Sequence, residues 1–361
     1  MEKIKIGILG ATGMVGQNYI RLLENHPWFE VSYVAASINS AEKPYETAVK
    51  NRWQMNTQIP KTICKLIVGN ATNFEEAIGN CKFVFSAIGG NKHAIREVEN
   101  SYAKAGIPVI SNNSAHRKTE NVPMLIPEIN SEHIEIITKQ QKTNGWNKGF
   151  IVVKPNCSLQ SYLTPVYALM QAGYKVKCIV ISTMQAVSGT GYPGVASVDM
   201  VDNIVPYIGG EEEKTDEEPN KILGTIKNGK IVNDKSIKIS AHCSRVPVVD
   251  GHTACVNLEF ESRKPSLGQI KQVWSEFNSV PQELNLPFAP QQPIIYMEET
   301  DRPQPRKDRN MDKGMAVVIG RLRKCKVFDV RFVGLSHNTV RGAAGGGILN
   351  AELLFAKGYI K

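Results

Sequence analysis

The sequence lacks the features of membrane, secreted and metal-binding proteins. Its 7 cysteines include no Cys-x-x-Cys pair, the spacing typical of zinc sites and redox motifs. No apolar run is long enough to cross a bilayer, and Gly7, Gly10 and Gly13 interrupt the first apolar stretch, so no secretion signal is predicted. An odd number of cysteines without such a signal favours a reducing compartment. We therefore expect a cytoplasmic protein that holds no metal and has no membrane partner.

The charge of the chain is positive but is not concentrated in one region. Lys and Arg total 43 against 34 Asp and Glu, which gives a formal net charge of +9. There is no arginine-rich arm and no aromatic RNA-binding signature, so we expect no nucleic-acid partner. A basic surface that attracts phosphorylated or carboxylated small molecules is the favoured interpretation. The 361 residues, 42% of them hydrophobic, suffice for two domains with buried cores.

Short apolar strands alternate with helical patterns in the first part of the chain. The strand patterns are "KIKIGILG", "FEVSYVAAS", "CKFVFSAIGG" and "IPVISNN", and the helical ones are "GMVGQNYIRLLENH" and "NKHAIREVENSYAKAG". This alternation predicts βαβ units and a parallel sheet covered on both faces. The predicted class is therefore α/β, with a Rossmann-type dinucleotide-binding domain over residues 1–155 that the C-terminal helical segment 339–361 completes.

A second domain of different character is predicted over residues 156–338. Its long β-rich runs, 237–262 and 314–338, suit an α+β domain with a large mixed, mostly antiparallel sheet. Segments 158–173 and 195–210 have helical patterns. The acidic "EEEKTDEE" and the Pro-rich "RPQPRKDR" are interpreted as loops, and residues 342–347 as a glycine-rich turn that leads into one helix.

A glycine pattern lies at the first strand-to-helix junction. Gly10, Gly13 and Gly16 in "ILGATGMVG" have the spacing at which amides at a helix N-terminus receive a pyrophosphate. The pattern is G-x-x-G-x-x-G rather than the commoner G-x-G-x-x-G, so a tight turn without a ligand is the alternative. Its position in the first βαβ unit favours a dinucleotide.

The end of the second strand distinguishes between the two nicotinamide cofactors. NAD-binding domains usually place an Asp or Glu there, which holds the ribose 2′-hydroxyl. Here the strand ends "VAASINSAEK", with the hydroxyls of Ser37 and Ser40 and the cation of Lys43. This arrangement predicts NADP, because hydroxyls and a cation suit its 2′-phosphate.

One cysteine occupies a position suited to chemistry. Cys157 follows the apolar run "IVVKPN" and precedes a helical pattern, and at a helix N-terminus the macrodipole and free N–H groups would lower the pKa of a thiol and receive an oxyanion. A small buried core residue is the alternative, as for most of the other six cysteines. A nucleophilic cysteine and a nicotinamide site together indicate acyl transfer to sulfur followed by hydride transfer.

Several segments resemble one known family along nearly the whole chain. "GILGATGMVGQ", "PNCS", "QAVSGTGYPG", "NIVPYIGGEEEK", "SAHCSRVPVVDGHT" and "LSHNTVRGAAGGGILNAELL" are similar to the aspartate-β-semialdehyde dehydrogenases of fungi and archaea. One difference is Leu159, which stands where the family often has Thr. The resemblance implies an NADP-dependent, reversible reductive dephosphorylation of L-4-aspartyl phosphate to L-aspartate 4-semialdehyde in lysine, threonine and methionine biosynthesis. It also implies a homo-oligomer, either a dimer or a tetramer.

The resemblance implies roles for individual residues. It makes Cys157 the nucleophile, flanked by Asn156, with His252 as acid–base catalyst and Gln185 orienting the substrate. It implies that Arg245 clamps the substrate carboxylate, which suits the two-pronged hydrogen bonding of a guanidinium. The remaining implied substrate ligands are Glu211, Lys214, Arg117 and Asn113. The implied cofactor contacts are Gly10, Ala11, Thr12, Gly13, Met14, Val15, Gly16, Ser37, Ser40, Lys43, Ser86, Ser188, Gly189 and Asn338.

Two alternatives stay open from the sequence. A malonyl-CoA or succinyl-CoA reductase would share the thioester chemistry, although Asn156 directly before the cysteine favours the semialdehyde enzyme. A non-catalytic module that senses NADP or binds nucleic acid would leave Cys157 inert.

Overall fold

The computed structural model describes residues 2–361. The first half of the chain forms a six-stranded sheet in which all strand pairs are parallel, in the order β3-β2-β1-β4-β5-β6. Its strands are β1 (Ile4–Leu9), β2 (Phe29–Ala36), β3 (Gly69–Asn70), β4 (Phe83–Ser86), β5 (Val109–Ser111) and β6 (Ile151–Val153). The helices along this half are α1 (Met14–Leu23), α2 (Tyr45–Ala48), α3 (Lys61–Cys64), α4 (Lys92–Lys104), α5 (Pro127–Asn130) and α6 (Ile136–Asn144).

The second sheet also has six strands, in the order β10-β7-β11-β14-β13-β12. Its strands are β7 (Val176–Gln185), β10 (Lys238–Arg245), β11 (His252–Phe260), β12 (Ile294–Met297), β13 (Val317–Lys324) and β14 (Val330–Ser336), while β8 (Thr225–Lys227) and β9 (Lys230–Val232) form a separate hairpin. The three central pairs are antiparallel and the two outer pairs are parallel. The predicted α/β class with a second, mixed and mostly antiparallel sheet is confirmed.

The last helix returns to the first sheet. The helices of the second half are α7 (Leu163–Gln171), α8 (Ser197–Met200), α9 (Glu211–Ile222), α10 (Leu267–Glu276), α11 (Val280–Glu283), α12 (Pro305–Asp308) and α13 (Gly345–Ala356). Ile348 and Leu353 of α13 lie in one buried apolar cluster with Ile6 and Ile8 of β1. The end of the chain therefore packs onto the first sheet, where α13 contacts β5 and α1. Among residues 2–361, no helix combines the length and apolar character that crossing a bilayer requires.

The acidic segment predicted as a loop is instead the first part of helix α9. Negative side chains are favourable in a first helical turn because they face the positive end of the helix dipole. Glu211, Thr215, Glu218 and Ile222 are buried on one side of the helix, at spacings of three and four residues that form a continuous face. The composition of the segment indicates a solvated loop because carboxylates are rarely buried, yet two of the side chains on its buried face are carboxylates.

Other local predictions were also wrong. Segment 195–210 contains only the short helix α8, and the Pro-rich "RPQPRKDR" includes the one-turn helix α12. After Cys157, a 3₁₀ turn covers Ser158–Ser161, and Tyr162 breaks the geometry with a φ of −145° before α7 begins. The glycine-rich segment is not a turn, because residues 340–344 form a π-helical turn that continues into α13.

Candidate active site

Strand ends of the second sheet bring the predicted catalytic side chains together. Parallel strands β7 and β10 end side by side, with Gln185 opposite Arg245, and the antiparallel strand β11 begins nearby with His252. Cys157 approaches from the other sheet, four residues after β6. Residues distant in sequence therefore meet at one edge, as strand ends do in a mixed sheet.

The Cys157 sulfur lies 3.2 Å from His252 Nε2. A local turn presents the thiol, because the side-chain oxygen of Asn156 accepts hydrogen bonds from the Ser158 N–H and hydroxyl, both at 2.8 Å. Gly342 makes room for it, since a Cβ there would stand 2.8 Å from the Cys157 Cβ. Cys157 therefore packs against Gly342, and its sulfur lies next to the His252 imidazole.

Hydrogen bonding decides which nitrogen of His252 carries the proton. Nδ1 accepts the backbone N–H of Ala186 at 3.0 Å, so in the neutral ring the proton lies on Nε2, which faces the sulfur. Complete burial, reinforced by the charge of Arg245, lowers the pKa of His252 to about 3. The imidazole is therefore neutral at physiological pH, and its Nε2–H can donate to a thiolate or to an oxyanion.

The prediction that the surroundings of Cys157 lower its pKa is wrong. Burial, followed by the negative charge of Glu211, raises the pKa of the thiol, and the cations Lys154, Arg117 and Arg245 oppose this rise. The short 3₁₀ turn supplies little of the dipole expected from a full α-helix. The local amides are also partly occupied, because the Asn156 N–H donates to Glu218 at 2.7 Å and the Ser158 N–H donates to Asn156.

Four of the predicted residues form one hydrogen-bonded network. The Glu211 carboxylate accepts hydrogen bonds from Asn156 Nδ2 at 2.9 and 3.0 Å, from Gln185 Nε2 at 3.2 Å and from Lys214 Nζ at 2.7 Å. Burial alone would raise the pKa of Glu211, but Lys214 and the two amides outweigh it and hold the pKa below its ordinary value. Its neighbour Glu212 instead accepts the backbone N–H of Cys243. Glu211 is thus an ionised carboxylate inside the site.

Two arginines near this network differ in how many hydrogen bonds their guanidinium groups already make. The Arg245 guanidinium donates one hydrogen bond, from Nη1 to the Ala186 carbonyl at 2.8 Å. Gly189 leaves space beside it, since a Cβ there would lie 3.0 Å from Nη1. Arg117 is already engaged: it donates to Glu218 at 2.9 Å and to two backbone carbonyls. Arg117 lines a cavity of 910 Å³ together with Lys214 and Glu218.

A separate groove of 560 Å³ runs along the carboxyl ends of the first sheet. Gly10, Thr12, Gly13 and Ser37 contribute to its lining. Gly10 has a φ of +79°, and a Cβ there would lie 2.3 Å from the Ala87 carbonyl oxygen, so only glycine permits this turn. The residues that follow, including Ala11, Met14, Val15 and Gly16, form the turn and the start of α1.

The three polar residues predicted to bind the 2′-phosphate differ in their exposure and in their hydrogen bonds. Ser37 is exposed in the groove. Ser40 is buried and accepts a hydrogen bond from Arg52 at 3.4 Å, and the Lys43 ammonium donates to the Asn39 carbonyl. Arg52 is a further cation of this region that the sequence did not single out, since an isolated arginine in a loop carries no pattern.

The remaining predicted residues take part in two further sets of hydrogen bonds. Asn113 donates to the buried Ser86 at 3.2 Å and to Glu99 at 3.0 Å. Asn338 donates to Ser188 at 2.8 Å and accepts the Gly251 N–H at 2.8 Å, just before His252. Within residues 2–361, no three His, Cys, Asp or Glu side chains are grouped so that they could hold a metal ion.

Two residues of the site were missed from the sequence. Glu218 accepts from both Arg117 and the Asn156 N–H, and the helical spacing from Glu211 could have indicated it. Lys154 is buried three residues before Cys157, and a lysine at the end of an apolar strand was the available signal.

Comparisons with known proteins agree with this arrangement. Residues 5–137 match the NAD binding domain family of semialdehyde dehydrogenases, and residues 166–341 match the semialdehyde dehydrogenase dimerisation domain. The chain is 42% identical to an aspartate-semialdehyde dehydrogenase of Schizosaccharomyces pombe, over 99% of each chain. It is 44% identical to one of Methanothermobacter thermautotrophicus, over 97% of this chain and 99% of that one.

A solved structure extends the likeness to three dimensions. The crystal structure of aspartate semialdehyde dehydrogenase with NADP from Candida albicans superposes with a TM-score of 0.90 at 38% identity, covering 99% of this chain and 100% of that one. Sequence identity of this level over the full length, together with both domain matches, shows that the chain belongs to the aspartate-semialdehyde dehydrogenase family.

Proposed function

We propose that the protein catalyses the reversible, NADP-dependent reductive dephosphorylation of L-4-aspartyl phosphate to L-aspartate 4-semialdehyde, a step in lysine, threonine and methionine biosynthesis. The observation that carries this proposal is the Cys157–His252 pair, 3.2 Å apart, on which the ionised Glu211 and the cation of Arg245 both act. Family membership supports the same reaction, since the full-length relatives from fungi and archaea bear this enzyme's name.

Charge complementarity supports the substrate. Aspartyl phosphate presents a carboxylate, an ammonium and a phosphate. The planar guanidinium of Arg245 makes one hydrogen bond with the protein and has further donors free, which suits the carboxylate. Glu211 suits the ammonium, and Lys214 and Arg117, on the side of the 910 Å³ cavity, suit the phosphate. Malonyl-CoA lacks an ammonium, so an acidic residue in this place disfavours it.

The groove on the first sheet fits NADP. The Gly10 turn brings the backbone close to the place where a pyrophosphate would lie, and Ser37 offers a hydroxyl without a carboxylate nearby in the groove lining. Asn338 and Ser188, which are hydrogen-bonded to each other, would meet the nicotinamide end. When bound, the cofactor supplies or takes up the hydride.

The residues of the chain perform the remaining steps. The Cys157 thiolate attacks the acyl carbon, a C–S bond forms, and the C–O bond to phosphate breaks to leave a thioacyl enzyme. Asn156 and Gln185 hold Glu211, which in turn orients the substrate. His252 donates its Nε2–H to the sulfur at rest and to the tetrahedral oxygen during reaction, in the manner of an oxyanion-hole donor. Collapse of the reduced adduct releases the aldehyde and restores the thiolate.

Further proposals concern organisation. Residues 1–155 with 339–361 form the NADP-binding domain, and residues 156–338 form the catalytic and oligomerisation domain of a cytoplasmic homo-oligomer, either a dimer or a tetramer. A segment with large exposed apolar side chains supports association of copies: Val198 is 87% exposed, Val201 70% and Ile204 61%. Sedimentation should give a mass at least twice that of the chain.

One assay tests the reaction directly. Purified protein with aspartate semialdehyde, phosphate and NADP should produce NADPH, followed by its absorbance, and omission of phosphate should prevent this. Arg245→Lys should lower kcat/KM, because a point charge does not reproduce the two-pronged contact. Arg263→Lys is the control, since Arg263 stacks on Tyr174 beyond the other end of β11. Oxidation of NADPH with malonyl-CoA, together with inertness towards aspartate semialdehyde and phosphate, would refute the proposed substrate.

A further inference from the structure

Lys154 is a buried lysine with almost no partner. Its residue is 3% exposed, and its ammonium donates a single hydrogen bond, to the Pro155 carbonyl at 2.8 Å. Among the ion pairs within residues 2–361, none includes Lys154. An ammonium has three N–H donors, and a buried charge is costly unless a hydrogen-bonding partner or an opposite charge compensates it.

A second buried lysine has a partner for each N–H donor of its ammonium. Lys221 is 7% exposed, and its ammonium donates to the carbonyls of Arg117, Thr119 and Val122 at 2.9, 2.7 and 2.7 Å. All three of its donors are therefore satisfied by backbone, which is a structural role. Lys154 is buried just as deeply but has one such bond, so its charge requires another partner.

The helical segment that holds Cys157 also holds Lys154. A Cβ on Gly342 would lie 2.8 Å from the Cys157 Cβ, and a Cβ on Gly346 would lie 3.2 Å from the Lys154 Cδ. Glycines four residues apart are neighbours on one helical face. The lysine stem and the cysteine therefore pack against the same segment at positions four residues apart, and its glycines provide the room for both.

The other charges near the pair have partners of their own. Arg117 is bonded to Glu218, and Arg341 to Glu128. The other groups that act on Cys157 are His252, Glu211 and Arg245. His252 is neutral with its proton already on Nε2, Glu211 is negative, and Arg245 faces the substrate carboxylate in the proposed reaction. Glu218 also favours the protonated form of Lys154, but its carboxylate is paired with Arg117. Lys154 is thus the cation around Cys157 that has no ion pair of its own and no assigned contact with the substrate.

We propose that Lys154 is a positioning residue whose ammonium is the internal counter-ion of the Cys157 thiolate. The two form a coupled pair, in which ionisation of the thiol favours protonation of the lysine, and protonation of the lysine favours the thiolate. This inference rests on the proposed nucleophilic role of Cys157, but its test reads the thiol itself and requires neither substrate nor cofactor.

The titration behaviour of the two groups agrees with the packing. Burial lowers the pKa of Lys154 to about 7. Among the groups that oppose this fall, Cys157 has the largest effect. In turn, Lys154 has the largest effect among the cations that oppose the rise in the pKa of Cys157. The relation is reciprocal, as expected for two groups that stabilise each other's charged forms.

The test is the pH profile of Cys157 alkylation by iodoacetamide, quantified by peptide mapping in the full-length protein. Lys154→Met and Lys154→Gln remove the charge, and the glutamine can keep the bond to the Pro155 carbonyl. Both should raise the midpoint of the profile by about 1–2 pH units, so that alkylation below the midpoint is about 10- to 100-fold slower. Lys154→Arg keeps a cation and should hold the midpoint near that of the wild type. Lys221→Met, the matched control, should leave the midpoint unchanged.

The outcomes separate the two levels of the proposal. An unchanged midpoint in a folded Lys154→Met or Lys154→Gln protein would overturn the counter-ion role, whatever the substrate. Should neither neutral variant fold, an upward shift of a full pH unit in folded Lys154→Arg would overturn it equally, because that variant retains the positive charge. Failure of the proposed enzymatic reaction would instead appear as absent NADPH formation in the wild type, with the alkylation profile intact.

Discussion

Replacing Glu211 by Gln should change the reactivity of Cys157 and the rate of turnover in opposite directions. The Glu211 carboxylate is ionised, since Lys214 at 2.7 Å and the amides of Asn156 and Gln185 keep its pKa below the ordinary value. Its negative charge raises the pKa of Cys157. Loss of that charge therefore lowers the pKa of the thiol and increases the thiolate fraction at any pH below it.

The size of each effect follows from the charges involved. A nearby charge shifts a pKa by about 1 unit or more, so iodoacetamide should alkylate Cys157 about tenfold faster in Glu211→Gln below the pKa. Turnover should fall, because the substrate ammonium loses its charged partner. That loss costs about 1–3 kcal/mol, or roughly 5- to 150-fold in kcat/KM for aspartate semialdehyde.

The assay compares two adjacent glutamates. Alkylation of Cys157 is followed by peptide mapping, and turnover by NADPH absorbance, in Glu211→Gln and in Glu212→Gln. The Glu212 side chain accepts the Cys243 N–H at 3.0 Å and, among the described residues, makes no hydrogen bond to the Glu211 network, so its variant should match the wild type in both measurements. Slower or unchanged alkylation in folded Glu211→Gln would refute the assignment of Glu211 as the charge that opposes the thiolate.

Further predictions concern four positions. Cys157→Ala should abolish turnover while NADPH binding, measured by fluorescence, persists; measurable turnover would contradict the thioacyl route. Ser37→Asp should reduce the preference for NADP over NAD by at least about tenfold in competition binding, because a carboxylate repels the 2′-phosphate, and an unaltered preference would count against the groove assignment. Gly342→Ala should lower the free energy of unfolding by about 1–3 kcal/mol in urea titration, since the added Cβ would meet Cys157 at 2.8 Å, whereas Gly268→Ala, with its nearest atom at 3.9 Å, should not. The pKa of about 3 for His252 lies below its unfolded value of about 6.5, so the unfolded state binds a proton that the folded state excludes, and stability falls as the pH drops from about 6.5 towards 3 by up to about 1.4 kcal/mol per pH unit. His252→Gln should remove that contribution, and an identical slope in both proteins would disprove it.

Much of the fold followed from short-range pattern. The patterns for β1, β2, β4 and β5 and for α1 and α4 lie where those elements occur, because alternation of apolar runs with period-3.6 segments reflects burial on both faces of a parallel sheet. The short elements α2, α3 and β3 have no such pattern. The turn at Gly10 was likewise apparent, since its φ of +79° is a conformation that glycine adopts without strain. These properties depend on residues within one or two turns of each other.

Errors arose where distant partners decide the structure. Segment 211–218 has the composition of an exposed loop, but Glu211 and Glu218 are buried. Lys214 and Asn156 donate hydrogen bonds to Glu211, and Arg117 forms an ion pair with Glu218. The local sequence contains no pattern that indicates these distant partners. In the same way, Ser37 and Ser40 looked equivalent in the sequence, and the packing of the loop exposes the first in the groove and buries the second.

Local periodicity and backbone sterics are enough to predict the α/β class, the glycine turn and a cysteine between a strand and a helical segment. The electrostatic state of Cys157 depends on how the chain packs. The pKa of a thiol depends on desolvation and on the distances to other charges, and the groups that matter, from Lys154 to Glu211, Arg245 and His252, are spread over nearly a hundred residues. Those groups meet at the sulfur only once two sheets and the last helix have packed together.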